Sequence, residues 1–250
     1  MHTIQFKLLV VIIIILTFPG SGQKNPSTPS PSSPPEDALA LGIDVSQFQG
    51  KIDWNQVKQN ETKIAFVFVK ATESTEFVDP LFPENWQGAK QAGIIRGAYH
   101  FFDAKQDAKT QAELFIKTVK KLEKNDLPPW LDLESGKFDE VDEVARKNFI
   151  NSVFLWLDTV ENGLGAIPII YTSPDFARDY LTDKRFSRYA LAAAEYDTDS
   201  TAPHLAGAWA GKTWTFWQYS ERGTITGING TVDLDRYNGS HEELMKFAKK

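Results

Sequence analysis

The 250-residue chain contains no cysteine. A disulfide framework and a lipid-modified N-terminal cysteine are both excluded, so an apolar core alone has to carry stability. Histidine is scarce: there are four, and none is paired at a ligand-like spacing. The acids form neither a calcium loop nor part of a His/Cys cluster, so no metal and no organic cofactor is expected. No block of lysine and arginine stands out, and the formal net charge is −6. That argues against nucleic acid as a partner, because phosphate binding needs a basic face. Internal repeats are absent. The longest apolar run, Leu8 to Phe18, falls short of the ~20 residues a spanning helix needs.

What is present is ordinary in amount and uneven in distribution. Hydrophobic residues make up 42% and charged residues 24%, as in a soluble globular protein. The length suits one large domain or two small ones. Aromatic residues reach 12%, which fits a filled core as well as a cleft that stacks sugars. At the N-terminus His2 and Lys7 precede LLVVIIIILTF (residues 8–18) and then Pro19-Gly20-Ser21-Gly22. A weakly positive start, a short apolar stretch and small residues read as a secretory signal peptide over residues 1–22. Residues 23–38 are rich in proline and serine and read as an extended linker. The body, residues 39–250, is then expected to be exported to the cell envelope or the medium, as a monomer with no stable membrane insertion after cleavage.

From Leu39 onward, short apolar runs alternate with amphipathic stretches. Strands are predicted over Leu41–Val45, Ile64–Lys70, Ile94–Phe101, Trp130–Leu133, Ile167–Tyr171, Tyr189–Ala194, Thr213–Tyr219 and Thr231–Leu234. Helices are predicted over Trp54–Asn60, Pro83–Gln91, Lys105–Lys124, Val141–Asn162 and Pro174–Tyr180. Asp53 reads as the N-cap of the first helix, and Asn162-Gly163 as the stop of the fourth. Alternation through the first five units implies a parallel sheet with right-handed crossovers. Eight strands suggest closure, so the expected fold is a single TIM-like β/α barrel with an irregular last third, approximately (β/α)5(β)3. A doubly wound open sheet is the competing topology, and it calls for more helix late in the chain.

In this layout Asp44 (GIDVS), Asp132 and Glu134 (WLDLE) and Asp233 (TVDLD) fall at strand ends far apart in sequence. The C-terminal strand ends of a barrel form its active-site face, so the four acids should converge on one mouth. Asp132 and Glu134 sit at i and i+2, on one side of a strand, with Cα atoms roughly 6–7 Å apart. Like charges at that range push one pKa upward, and a carboxyl held protonated is what a departing glycosidic oxygen needs. The longer Glu134 reaches further and takes the acid role. A D-x-E pair alone is weak, since solvated strand ends and metal loops use it too. Tyr99, Tyr171, Tyr196 and Tyr219 stand near matching strand ends, where tyrosine offers a flat face for a sugar and a hydroxyl for hydrogen bonding. Any one of them alone reads as core. His100 reads as structural or substrate-contacting.

GIDVSQFQGKIDW, GAYHFF, PPWLDLE, WQYS and GINGTVDLDRY, in this order, resemble the glycoside hydrolase family 25 lysozymes. The resemblance spans residues 40–238. It implies a β/α barrel with an irregular last third that hydrolyses the β-1,4 bond between N-acetylmuramic acid and N-acetylglucosamine. By it Glu134 matches the general acid, Asp132 its partner, and Asp44 and Asp233 two further pocket acids. Tyr99, Tyr171, Tyr196 and Gln218 match substrate contacts, and peptidoglycan glycan strands are the implied partner. One departure is LAAAEYD before the strand-six tyrosine, with Ala192 where the family shows tryptophan, which is expected to remove an aromatic wall from a sugar subsite. Attack by the substrate's own N-acetyl oxygen, with Asp132 orienting the amide, is favoured; attack by water, with Asp44 or Asp233 as base, is the alternative. A related barrel glycosidase acting on chitin-like glycans and a catalytically silent glycan-binding barrel are the rival readings.

Overall fold

The computed structural model describes residues 39–134, 142–196 and 202–248. The expected signal peptide and linker lie outside these residues. Each predicted strand forms; the first six are short apolar runs whose side chains alternate between two largely buried faces, while the last two carry polar and charged residues toward the mouth. β1 (Ala40–Val45) is followed by α1 (Trp54–Gln59), β2 (Ile64–Glu73), the two-residue β3 (Phe77–Val78), α2 (Phe82–Ala92) and β4 (Ile95–Phe101). Then come α3 (Ala108–Val119), β5 (Trp130–Asp132), α4 (Glu143–Leu164), β6 (Ile169–Thr172), α5 (Pro174–Tyr180) and β7 (Leu191–Ala194). β8 (Phe216–Gly223), β9 (Val232–Tyr237) and α6 (His241–Phe247) complete the chain.

Seven strands pair in parallel, in the order β1, β2, β4, β5, β6, β7, β8. β9 pairs antiparallel with both β8 and β1 and closes an eight-stranded barrel, so the open-sheet alternative is excluded. The connections thin out late in the chain as expected. Past α5 there are 3-10 turns at Lys184–Arg188 and Gly207–Trp209 rather than full helices. Three features differ from expectation. The closing strand runs against the others, β3 adds a short antiparallel edge to β2, and α6 follows β9. The fourth helix also runs through Gly163 and stops at Gly165, whose φ of 72° accepts the left-handed turn. Gly163 instead marks close packing of α3 on α4, since a Cβ there would lie 2.5 Å from Ile116 Cδ1. Asp53 does cap α1, accepting the Asn55 and Gln56 N–H groups.

Period-two alternation gives the barrel two separate apolar cores. Outward residues such as Ile43, Val67, Val69, Leu131 and Ile170 pack under the helices. Inward residues Phe66, Phe68, Trp130, Ile169, Ala192 and Phe216 fill the barrel itself. Phe68 meets Trp130 at 4.1 Å and Phe216 at 5.4 Å between ring centroids, both edge-on. Full burial of one such ring contributes about 1.5–3 kcal/mol. These rings fit because two facing positions carry no side chain. A Cβ on Gly42 would lie 2.3 Å from Phe66, and one on Gly97 would lie 2.4 Å from Phe68. At the far end Leu244 and Phe247 of α6 close over Phe216 and Tyr237. The barrel is therefore plugged at one end and open at the other. Gly97→Ala is expected to destabilise the fold by about 1–3 kcal/mol, the usual cost of overpacking a filled core. Urea unfolding checks this, and an unchanged midpoint contradicts it.

Candidate active site

The inward series that begin as aromatics end as ionisable or polar groups at the open end. Phe66 and Phe68 lead to Lys70, Trp130 leads to Asp132, Phe216 leads to Gln218, and Gly42 leads to Asp44. Together with Ser46, Phe48, Gln49, Tyr99, Phe101, Glu134, Tyr171, Tyr196, Glu221 and Asp233, these line one cavity of about 340 Å³. All eight candidate residues, Asp44, Asp132, Glu134, Asp233, Tyr99, Tyr171, Tyr196 and Gln218, therefore meet at one mouth. Asp233 arrives there for a reason other than the expected one. Because β9 is antiparallel, its N-terminal end reaches the mouth, and Asp233 lies opposite Asp44 in the register.

Gln218 ties the pocket together. Its amide N–H donates to Asp44 at 2.6 Å, while its carbonyl accepts the Tyr171 hydroxyl at 2.8 Å and the Tyr196 hydroxyl as well. The amide orientation is thus set by two donors on one side and a carboxyl on the other. Tyr219 is not among the lining residues; its ring packs against Trp217 and under the Arg236 guanidinium. His100 is fully buried under the helices, where it donates to Gln111 from Nε2, leaves Nδ1 2.7 Å from the Thr72 hydroxyl and stacks on Trp156. Burial lowers its pKa to about 3, so it is a neutral structural group, as one of its two expected readings has it. Ala192 corrects another expectation. It is fully buried in the barrel interior, next to Tyr171 and Phe216 in the sheet, and does not line the cavity. The small side chain there is a packing choice beneath the site, with Phe216 and Trp130 filling the space.

Burial sets the electrostatics. Asp132 is 8% exposed, and its Oδ1 has no hydrogen-bond partner. Burial first, and the neighbouring Glu134 second, push its pKa well above the ordinary carboxylate range. Glu134, two residues past the end of β5, reaches solvent; burial of its carboxyl and then Asp233 raise it. The D-x-E spacing predicts that one member is raised, and both are. Asp44 is held well above its usual range by burial, then by Asp235 and Asp233, against the opposing hydrogen bond from Gln218. Asp233 is raised by burial as well.

Four contributors were not anticipated. Lys70, 7% exposed, is among the described residues the one cation lining the cavity, and it draws both Asp132 and Glu134 downward against the effect of burial. Glu73 holds it at 2.6 Å, and the Phe101 and Phe77 rings flank it, Phe77 being carried by β3. Its signal was available: it is the lone charge in the predicted strand Ile64–Lys70. Phe48 stands on the lip at 83% exposure. The Ser46–Gln49 capping box and the Gln47 N–H donated to buried Asp79 hold its turn. Glu221 adds a fifth carboxyl to the rim. Asp235 lies buried below the lining. Among the described residues no group of three or more histidines and acids is arranged to hold a metal, and no helix is long and apolar enough to cross a membrane.

One carboxyl open to solvent beside a second sunk beneath it, at the mouth of a barrel walled by tyrosines, is the equipment of acid-catalysed sugar-bond cleavage, and the class is that of the glycoside hydrolases. Comparison with known proteins narrows it: the model for glycosyl hydrolases family 25 matches residues 43–228, and the chain belongs to that family. β9, with Asp233 and Asp235, lies beyond the matched segment. The chain is 39% identical over 215 residues to the uncharacterised protein YegX of Escherichia coli K12, covering 83% of this chain and 72% of that one. It is 30% identical over 224 residues to lysozyme M1 of Streptomyces globisporus, covering 86% and 73%. Among solved structures, the lysozyme of Streptomyces coelicolor superimposes with a TM-score of 0.75 at 29% identity, covering 84% of this chain and 97% of that one. A family 25 glycosyl hydrolase from Bacillus anthracis gives 0.73 at 32% identity, covering 84% and 93%.

The raised carboxyls bear on stability. A carboxyl whose pKa is higher folded than unfolded holds its proton more tightly when folded. Its cost to the fold is therefore absent below the unfolded value and grows as pH rises toward the folded one. Asp132→Asn removes that cost. Its melting temperature at pH 7 is expected to exceed the parent's by about 2–4 °C, which is what roughly 1 kcal/mol is worth in a domain of this size. The gain should shrink toward pH 4. A variant less stable at pH 7 than the parent contradicts the assignment.

Proposed function

We propose that this protein is an exported muramidase that cleaves the β-1,4 bond between N-acetylmuramic acid and N-acetylglucosamine in peptidoglycan. One observation carries the reading above the others: Glu134, open to solvent, stands over buried Asp132 on one strand end, inside a mouth lined by tyrosines. The lysozyme names of the relatives from Streptomyces globisporus and Streptomyces coelicolor support the same substrate.

In this reading Glu134 donates its proton to the departing glycosidic oxygen as positive charge develops at C1. A carboxyl raised by its surroundings is still protonated when it meets the substrate, and its exposure lets solvent restore the proton afterwards. Asp132 has a free oxygen below the reacting carbon, placed to accept the N–H of the substrate's acetamido group. Held so, the acetamido oxygen attacks C1 from the far face as the protonated leaving group departs, closing an oxazolinium ring. Water, giving its proton to Glu134, then opens that ring from the first face, and the two inversions leave the product's configuration unchanged. Lys70 limits the repulsion between Asp132 and Glu134. Gln218 fixes Tyr171, Tyr196 and Asp44, and Phe48 offers a flat apolar platform on the lip for a sugar ring of the bound strand. The apolar run at residues 8–18 supports export to the wall.

Glu134→Gln is expected to lose clearing of bacterial wall suspensions by at least about a thousandfold, the upper range for a single general acid, while its circular dichroism stays that of the parent. Near-parental clearing would end Glu134's assignment. Borohydride reduction of the products should label muramic acid ends; labelled glucosamine ends, or cleavage of chitin oligomers instead, favour a glycosidase of different specificity. NMR of the first-formed product should show the β-anomer, and an α-anomer removes the substrate-assisted route in favour of direct attack by water.

A further inference from the structure

Asp235 is fully buried, no N–H or hydroxyl group is placed to donate to either of its carboxyl oxygens, and the Asp44 carboxyl lies within hydrogen-bonding reach of it as well as of Asp233. It lies two residues beyond Asp233 on β9, so it points into the barrel beneath the cavity floor. The strands beside it offer nothing. Its neighbour on β1 is Gly42, which has no side chain. Its neighbour on β8 is Gln218, which donates one amide N–H to Asp44, accepts from Tyr171 and Tyr196 at its carbonyl, and makes no hydrogen bond to Asp235. Lys70, the cation lining the cavity, is engaged by Glu73. Asp44 and Asp233 are the carboxyls close enough to raise or be raised by Asp235. Two carboxylates cannot hydrogen-bond to each other, and an ionised carboxylate buried without a donor costs several kcal/mol. A proton between the two groups removes both difficulties at once.

We propose that Asp235 is a positioning residue that shares a single proton with Asp44, so that Asp44 faces the cavity as half of a hydrogen-bonded acid pair carrying one negative charge. Gln218, donating to Asp44 from the other side, favours the charge on the Asp44 member. The pair loses its second proton only at the cost of two facing buried charges, with Asp233, Asp132, Glu134 and Glu221 adding repulsion from β9, β5 and β8 and Lys70 opposing it from β2. Like other tightly interacting acids, the pair should therefore titrate in two widely separated steps that belong to both groups.

The test uses the whole protein without substrate. Carboxyl-carbon NMR with labelled aspartate should show two resonances that respond together, with the upper step well above the ordinary aspartate range. In Asp235→Asn the upper step should vanish, because its neutral amide donates permanently and no second charge can form. In Asp233→Asn the upper step should persist. If the upper step survives in Asp235→Asn, or if the Asp44 and Asp235 resonances titrate independently near ordinary values, the proposal is overturned. The muramidase reading enters only through a second measurement, the pH profile of wall clearing. Its alkaline limb, set by Glu134 losing its proton, should not move upward in Asp235→Asn, because the variant leaves one negative charge fewer beneath the cavity at high pH. A protein that cleared no walls would fail the functional reading and leave the NMR titration to decide the acid pair by itself.

Discussion

Mutual repulsion among carboxyls held out of water is the constraint around which this molecule is arranged. Among the described residues five line the mouth, a sixth lies beneath it, and one lysine answers them. Spread over a surface they would ionise and ignore one another. Sunk into a barrel end, Asp44, Asp132, Glu134, Asp233 and Asp235 cannot all do so, and protons stay on groups that would ordinarily have released them. Acid catalysis at neutral pH needs such groups, and the cost falls on the stability of the fold.

The rest of the architecture makes that cost bearable. The barrel below the mouth is filled by edge-packed rings, which form the floor on which the acids rest. Gly42 and Gly97 give Phe66 and Phe68 their space, and α6 seals the opposite end. The hydrogen bonds then divide the acids by role. Gln218 holds Asp44 and two tyrosines still, Lys70 sits between Glu73 and the D-x-E pair, and Glu134 is left free at the surface. In the proposed mechanism the exposed member of the D-x-E pair exchanges protons, and the buried acids orient the substrate and hold charge.

Much of this is legible from side-chain period. All eight barrel strands are predicted, the first six as short apolar runs, and the four acids stand where such strands end. Period says nothing of strand direction, however. Treating the last strand like the others puts Asp233 at the mouth, whereas it reaches the mouth because β9 runs the other way. The two-residue β3 is too short to carry any pattern, so the support it gives Lys70 through Phe77 cannot be read. α6 is announced by Ser240 and Glu243, an S-x-x-E box that the structure closes, yet the helix after it has only seven residues. In sequence Asp235 looks like an ordinary acid at a strand end; only the register, which sets it against a glycine and a committed glutamine, marks it out. Ala192 shows the opposite case, where a departure from the family pattern suggests an altered binding wall and the structure puts it in the core.

The central claim concerns which carboxyl meets the bond that breaks. The direct measurement is a crystal structure of Glu134→Gln soaked with an oligosaccharide of alternating N-acetylglucosamine and N-acetylmuramic acid. The bridging oxygen is predicted to lie within about 2.6–3.2 Å of the side-chain amide at position 134, with the acetamido N–H turned toward Asp132. A bridging oxygen seated against Asp44 or Asp233 and out of reach of position 134 would contradict it.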